Sequence, residues 1–222
     1  MKTVAITINK GGVGKTMLAK TMATAATAAG LNALVLDMDT QQNATAWGKR
    51  RAKTDRPLPI ARFVTEVDLA DEIGRADKAG CDLTFIDTPP GRSSEAPAAV
   101  EVSDLVLIPF WADVDSFEGV TRTAHLCRRL GKPAFGVLNH ATPNSRTHED
   151  TSREVLQAIN LPFVPVVLHR YEAHKVASLR GQTAQEIEPD SRAAEEVQAL
   201  WAWLRAQLQD STSAVVHTGA AA

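Results

Sequence analysis

The sequence predicts an α/β domain: a mostly parallel, twisted sheet with helices on both faces. Three observations point there. Short apolar runs alternate with longer helical stretches along most of the 222 residues. Several of those runs are apolar almost without interruption, as strands buried on both faces must be. A glycine-rich turn joins the first apolar run to the first helical stretch, the connection characteristic of a strand feeding a helix in such folds.

In chain order, strands are expected at Thr3–Ile8, Ala33–Asp37, Leu83–Asp87, Leu105–Pro109, Ala134–Leu138 and Phe163–Val167. Helices are expected over Lys15–Ala29, Val67–Ala79, Phe117–Leu130, Thr147–Ile159 and Ala193–Leu208. The first helix is rich in Ala, Met and Leu and stops at Gly30, a residue suited to the left-handed turn that ends a helix. The last carries Trp201, Trp203, Leu204 and Leu208. Its charges are mostly acidic, so packing on the sheet is expected rather than contact with a membrane. No repeat or linker divides the chain. Residues 1–210 are therefore read as one domain, and 211–222, small and polar without periodicity, as a disordered tail.

Composition narrows the function classes. Hydrophobic residues make up 44% and charged residues 23%, which excludes a wholly disordered chain. No apolar run reaches the roughly 18 residues that a membrane-spanning helix needs. Met1-Lys2 leads straight into the first strand, without the apolar core of a secretory leader. Cys81 and Cys127 lie far apart and form no C-x-x-C pair, which argues against a disulfide framework or a zinc ribbon. A soluble, cytoplasmic protein is expected. The net charge of −2 is unevenly spread: residues 122–180 hold nine Lys/Arg against four Asp/Glu, with five of the six histidines. Charge asymmetry of this kind can mark a local basic face on an acidic body, or a solvated surface whose charge scatters once the chain is folded.

The strongest chemical signal is K-G-G-V-G-K-T, Lys10 to Thr16, placed after the first strand and opening the first helix. That is the context a phosphate-binding loop requires. Gly11, Gly12 and Gly14, with Val13 between them, let the backbone curl so that its N–H groups point at phosphate oxygens, and the helix N-terminus adds positive potential. Lys15 is placed to reach the β- and γ-phosphates, and the Thr16 hydroxyl to ligate Mg²⁺. Met17 offers its backbone N–H. The ordinary pattern has glycine where Asn9 stands here, and Lys10 follows it. A second lysine beside Lys15 needs negative charge, from the same nucleotide or from one held by a second copy of the chain.

This loop resembles the deviant Walker motif of the ParA/MinD class of P-loop ATPases. Three further segments agree with it in order and spacing: L-V-L-D-M-D-T-Q-Q-N-A-T (Leu34 to Thr45), L-T-F-I-D-T-P-P-G (Leu83 to Gly91) and F-G-V-L-N (Phe135 to Asn139). The resemblance runs over residues 2–208. It implies ATP and Mg²⁺ as ligands and a weak ATPase stimulated by a partner. Lys10 would cross to the partner's phosphates in an ATP-sandwich homodimer. Asp39 would position the attacking water, Asp37 and Asp87 would lie at the metal, and Asn139 would read the adenine edge. Two departures are evident: Thr40 stands where the class usually has proline, and Met17 where it usually has threonine.

Within that class, the partition branch binds DNA without sequence preference, and Arg146, Arg153, Arg170, Lys175 and Arg180 are the candidate phosphate contacts. The resemblance then implies nucleoid association in the ATP state. It also implies an adaptor, ParB-like or other, with a basic activating segment, and a cargo such as a plasmid, chromosome, chemoreceptor cluster or carboxysome. The chain resembles the small type, which lacks an N-terminal helix-turn-helix domain. The alternative is a MinD-like positioning ATPase acting at a membrane or protein scaffold. That branch ends in a basic amphipathic helix, and the residues after Asp210 have no basic face. Nitrogenase-type reductases and the related tyrosine kinases need cysteine motifs or a tyrosine cluster that this chain lacks, and a small-molecule ligase would not carry Lys10.

Overall fold

The computed structural model describes residues 1–91, 94–142 and 146–217, with side chains through residue 209. Six strands form one parallel sheet: β1 (Lys2–Ile6), β2 (Ala33–Asp37), β3 (Ile60–Phe63), β4 (Leu83–Asp87), β5 (Leu105–Phe110) and β6 (Ala134–Leu138), in the order β3-β2-β4-β1-β5-β6. Helices connect them: α1 (Lys15–Ala28), α2 (Asn43–Arg51), α3 (Leu69–Lys78), α4 (Glu95–Val102), α5 (Val114–Arg129), α6 (Arg146–Ala158), α7 (Glu172–Leu179), α8 (Ala184–Ile187) and α9 (Arg192–His217).

Alternation along each strand divides the core into two layers. Val4, Ile6, Val35, Phe85, Leu105 and Leu107 pack with α1 and with Val197, Leu200 and Leu204 of α9. Ala5, Leu36, Ile86, Val106 and Ile108 face the other way, against Leu69 of α3, Val100 of α4, Val120 of α5 and Leu156 of α6. Both faces are therefore covered, which is why the strands read as unbroken apolar runs.

Register fixes the working edge. Ile6 of β1 pairs with Asp87 of β4, and Asp87 with Asp37 of β2, so three strands end abreast. From β1 the chain crosses to β2 on one side; from β4 it crosses to β5 on the other. The crevice between β1 and β4 is thus the point where open sheets of this kind place their ligands.

The structure departs from the sequence reading in several places, among them the helices α4, α7 and α8, which that reading does not expect. Phe163–Val167 is not a strand: it runs beside β6 with one isolated bridge to Gly136, Val164 donating to the Gly136 carbonyl at 2.9 Å. Pro165 brings no N–H with which to extend a ladder. β3 and α2 escape the hydrophobic pattern because burial along β3 is partial and α2 starts from Gln42 in left-handed backbone. Gly48 lets these two elements meet, since a Cβ there would lie 2.9 Å from that of Ala61. Finally, α9 continues to His217, into the stretch that reads as a tail from Ser211, while residues 218–222 of that stretch lie outside the described residues. Helix propagation adds one bond per residue, and no Gly or Pro interrupts it there.

Candidate nucleotide-binding site

The loop after β1 is shaped by its glycines. Gly12 and Gly14 have φ of 77° and 94°, and a Cβ on Gly14 would sit 2.2 Å from Asn139 Nδ2. Any larger residue at position 14 is excluded twice, by backbone and by contact. Gly14 caps α1 without a side-chain hydrogen bond, and the first turn of α1 holds no acidic residue. The free N–H groups and the positive end of the helix dipole are left for an anion. Lys15 lies buried with its Nζ donating to the Lys10 carbonyl at 2.9 Å. Burial lowers its pKa, while Asp87 and Asp39 pull the other way.

Beneath this loop stand the three carboxylates. Asp87 is fully buried, and neither of its oxygens accepts a well-formed hydrogen bond, the Thr16 hydroxyl beside it giving only partial relief. Burial drives its pKa up to about 7, with Asp37 adding to the rise and Thr16, Lys15 and Lys20 opposing it. An orphaned buried carboxylate is costly unless a cation arrives. Asp37 is equally buried but fully used: Oδ1 accepts the Asp39 N–H at 3.1 Å and Oδ2 the Thr45 N–H at 2.8 Å. It therefore ties the loop after β2 to the first turn of α2. Asp39 accepts the Gln41 N–H at 2.9 Å. No group of three or more metal-binding side chains gathers among the described residues. A divalent ion here would take Asp87 and complete its shell with phosphate and water, the habit of Mg²⁺. The residues present fit it on those terms.

Lys10 does not extend from the loop. Its Nζ lies 2.6 Å from Asp113 Oδ1 and 3.8 Å from Asp115, over the ring of Trp111. Asp113 also caps α5 by accepting the Ser116 N–H at 2.8 Å. Burial raises the Asp113 pKa, but its bonds to Lys10 and Ser116 outweigh that and leave it lowered. Trp111 in turn stacks on His140, with centroids 5.3 Å apart.

Asn139 closes the loop against β6. Its amide donates to the Val13 carbonyl at 2.7 Å, and its oxygen accepts the His140 N–H at 2.9 Å. Beside it opens a cleft of ≈ 370 Å³, bounded by Gly14, Met17 and Lys20 on one side and by His140, His174 and Lys175 on the other. Sequence reasoning missed Lys20, whose Nζ donates to Ser178 Oγ at 2.9 Å and whose pKa burial lowers to about 8. A single lysine inside an Ala- and Met-rich helix was the available signal. His140 and His174, both with pKa values lowered by burial first, were also missed.

The five basic candidates do not form one group. Arg146 and Arg153 belong to α6, whose Leu156 packs on the α5 side of the sheet. Lys175 and Arg180 belong to α7 and its C-cap, which reach Lys20 of α1 on the opposite side. Arg153 pairs with Glu149 at 2.6 Å and lies over Phe163, and Lys175 pairs with Glu172 at 3.3 Å. Arg170 sits close enough to lower the His140 pKa.

Comparison with known proteins agrees with this geometry. The family described as the CobQ/CobB/MinD/ParA nucleotide binding domain matches residues 4–184. The chain is 30% identical to Maintenance of carboxysome distribution protein A of Gloeobacter kilaueensis, over 90% of this chain and 95% of that protein. Among solved structures, the MinC:MinD cell division complex of Aquifex aeolicus superposes with a TM-score of 0.75 at 16% identity, covering 93% of this chain and 96% of that one. An ATP complex of a variant McdA from Cyanothece gives 0.70 at 18% identity, covering 92% and 96%. At those identities the two structures establish the shared fold.

Proposed function

The chain belongs to the CobQ/CobB/MinD/ParA nucleotide-binding family, and from that premise we propose that it is a positioning ATPase whose nucleotide state controls self-association. The observation that carries the proposal is Asp87: a buried, unpartnered carboxylate directly under a glycine loop and a buried lysine. That arrangement is unfavourable until a divalent cation and phosphates fill it.

In this reading the free N–H groups at the start of α1 and the Lys15 ammonium hold the triphosphate. Asp87 and the Thr16 hydroxyl hold Mg²⁺, which supplies charge neutralisation at the phosphates. Asp37 acts one step back, by fixing the loop that carries Asp39. Asp39 orients water for attack on the terminal phosphate. Asn139 keeps the loop shaped and borders the base cleft. Lys10 swings from Asp113 to the phosphates of a second copy, and Val114, 73% exposed beside Asp113, supplies apolar contact on the same edge. Hydrolysis then acts as a timer that ends the association.

What the dimer binds is read from charge and kinship. The exposed basic residues suit non-specific DNA, with an adaptor that stimulates hydrolysis and a cargo of the kind its carboxysome-distribution relative handles. A second reading places the protein on a protein scaffold, as MinD is placed with MinC. Val176 and Leu179, the latter 77% exposed, favour it, because they put apolar surface on α7 next to the nucleotide cleft. No helix of the described residues is long and apolar enough to cross a membrane.

The test is binding to random-sequence duplex DNA with ATP, with ADP and without nucleotide, at two salt concentrations. Salt-sensitive binding with ATP alone is expected. No binding in any state would remove DNA and favour the scaffold. Lys15→Ala should abolish ATP-dependent dimerisation; an undiminished dimer would refute the loop assignment. Asp39→Ala should preserve the dimer and slow turnover, and unchanged turnover would take Asp39 out of the catalytic set.

A further inference from the structure

α2 joins the carboxylate switch to a surface that a count of charges along the chain divides between two halves. At its start, Asp37 holds the Thr45 N–H, and Asp39 lies in the loop just before. At its end it is clamped to the turn between α7 and α8. Trp47 Nε1 donates to the Gln182 carbonyl at 3.1 Å, and Arg50 to that of Ser178 at 3.3 Å. Arg51 makes two parallel bonds to Glu186, at 2.7 and 2.9 Å, and a third to the Gly181 carbonyl at 3.1 Å. A Cβ on Gly181 would lie 2.4 Å from the Arg51 backbone nitrogen, so the two segments touch backbone to backbone. A buried bidentate pair of this kind fixes geometry, because breaking it would strand a charge.

The clamp brings the end of α2 against the turn that follows Arg180, so Lys49, Arg50 and Lys53 stand on the segment that meets this turn, with Arg56 further on, at the rim of the pocket that Arg51 and Trp201 line. All five are exposed. No ion pair neutralises any of them among the described residues, whereas Arg153 and Lys175 are each neutralised by a glutamate one turn away. The dipole at a helix C-terminus attracts cations and accounts for Lys49 and Arg50. It does not account for Lys53 and Arg56, which lie beyond the helix. Unpaired cations on a rigid support are what a polyanion exchanges for its counterions.

We propose that Lys49, Arg50, Lys53 and Arg56, together with Arg180, form the surface that contacts the phosphates of duplex DNA, and that α2 moves this surface with the nucleotide switch at Asp37 and Asp39. The inference rests on the DNA-binding reading and relocates its main contacts. In this proposal a shift in residues 37–43 moves α2 together with the α7–α8 turn clamped to it, so that the basic surface moves as one body.

The test compares the wild type, a Lys49→Glu/Lys53→Glu variant and an Arg146→Glu/Arg153→Glu variant for binding to random-sequence duplex DNA, with ATP and with ADP, across salt. Unfolding transitions are measured alongside. The α2 variant should lose affinity, with the slope of log affinity against log salt reduced by roughly two, at about 0.9 per lost phosphate contact. The α6 variant should keep most of both. If the α2 variant does not fold, Lys53→Gln/Arg56→Gln, beyond the helix, gives the same slope test. Unchanged binding by the α2 variant, or a loss confined to the α6 variant, overturns the surface and leaves the DNA reading standing. Equal wild-type binding with ATP and ADP overturns the nucleotide control. A wild type that binds no duplex in any state overturns surface and reading together.

Discussion

Asp37 and Asp87 are neighbours in register, each the last residue of an apolar strand, both fully buried. They differ in what meets them. Asp37 receives two backbone N–H groups, and Asp87 receives none. A carboxylate answered by amides is part of the scaffold, while one left unanswered holds a proton or takes a cation. We propose on this ground that the end of β4 holds the metal and the end of β2 fixes the loop, although the two positions look alike in sequence.

Asp87→Ala should have the largest effect, removing about 3 kcal/mol of Mg²⁺-dependent nucleotide binding, on the order of 100-fold in affinity. Titration calorimetry with and without Mg²⁺ reads this directly. Asp37→Ala should instead destabilise the fold by about 2–3 kcal/mol, since two buried amides lose a charged acceptor. If it spared stability and abolished Mg²⁺ dependence, the two roles would have to be exchanged.

Burial raises both carboxyls, so a pH series needs the Asp87 variant beside it to isolate that group's share. Asp87 is raised in the folded state to about 7, so the folded chain holds a proton that the unfolded chain has released. Stability of the nucleotide-free protein should therefore fall as pH rises from about 4 toward 7, by at most about 1.4 kcal/mol per unit. Asp87→Asn should flatten that slope, and urea midpoints at several pH values would show it. Mg²⁺ affinity should rise through the same range, because the ion displaces the proton.

The smallest effect on stability belongs to Lys10→Ala. Its partly exposed ion pair with Asp113 is worth about 1 kcal/mol or less. The same change should nevertheless abolish ATP-dependent dimerisation. A variant that still dimerises would restrict Lys10 to its contacts with Asp113 and Trp111.

What could be read from the sequence was whatever depends on local backbone chemistry. Gly12 and Gly14 announce a loop because only glycine takes their φ readily, and Asp37 and Asp87 stand out at the ends of unbroken apolar runs. What could not be read depends on contacts across the fold. Nothing near Asp37 in sequence says that Thr45 will satisfy it, and β3 is fixed by Gly48 against Ala61 rather than by its own pattern. The expected strand at Phe163–Val167 does not form, because Pro165 has no N–H with which to extend a ladder. The basic face was sought in residues 122–180. The clamp through Arg51 and Glu186 shows that part of it meets a run of cations from the first half of the chain.

The most direct measurement is the solution mass of the Asp39→Ala chain by sedimentation velocity with Mg²⁺-ATP and with Mg²⁺-ADP. The account predicts a dimer with ATP and a monomer with ADP. The same state with both nucleotides would contradict it.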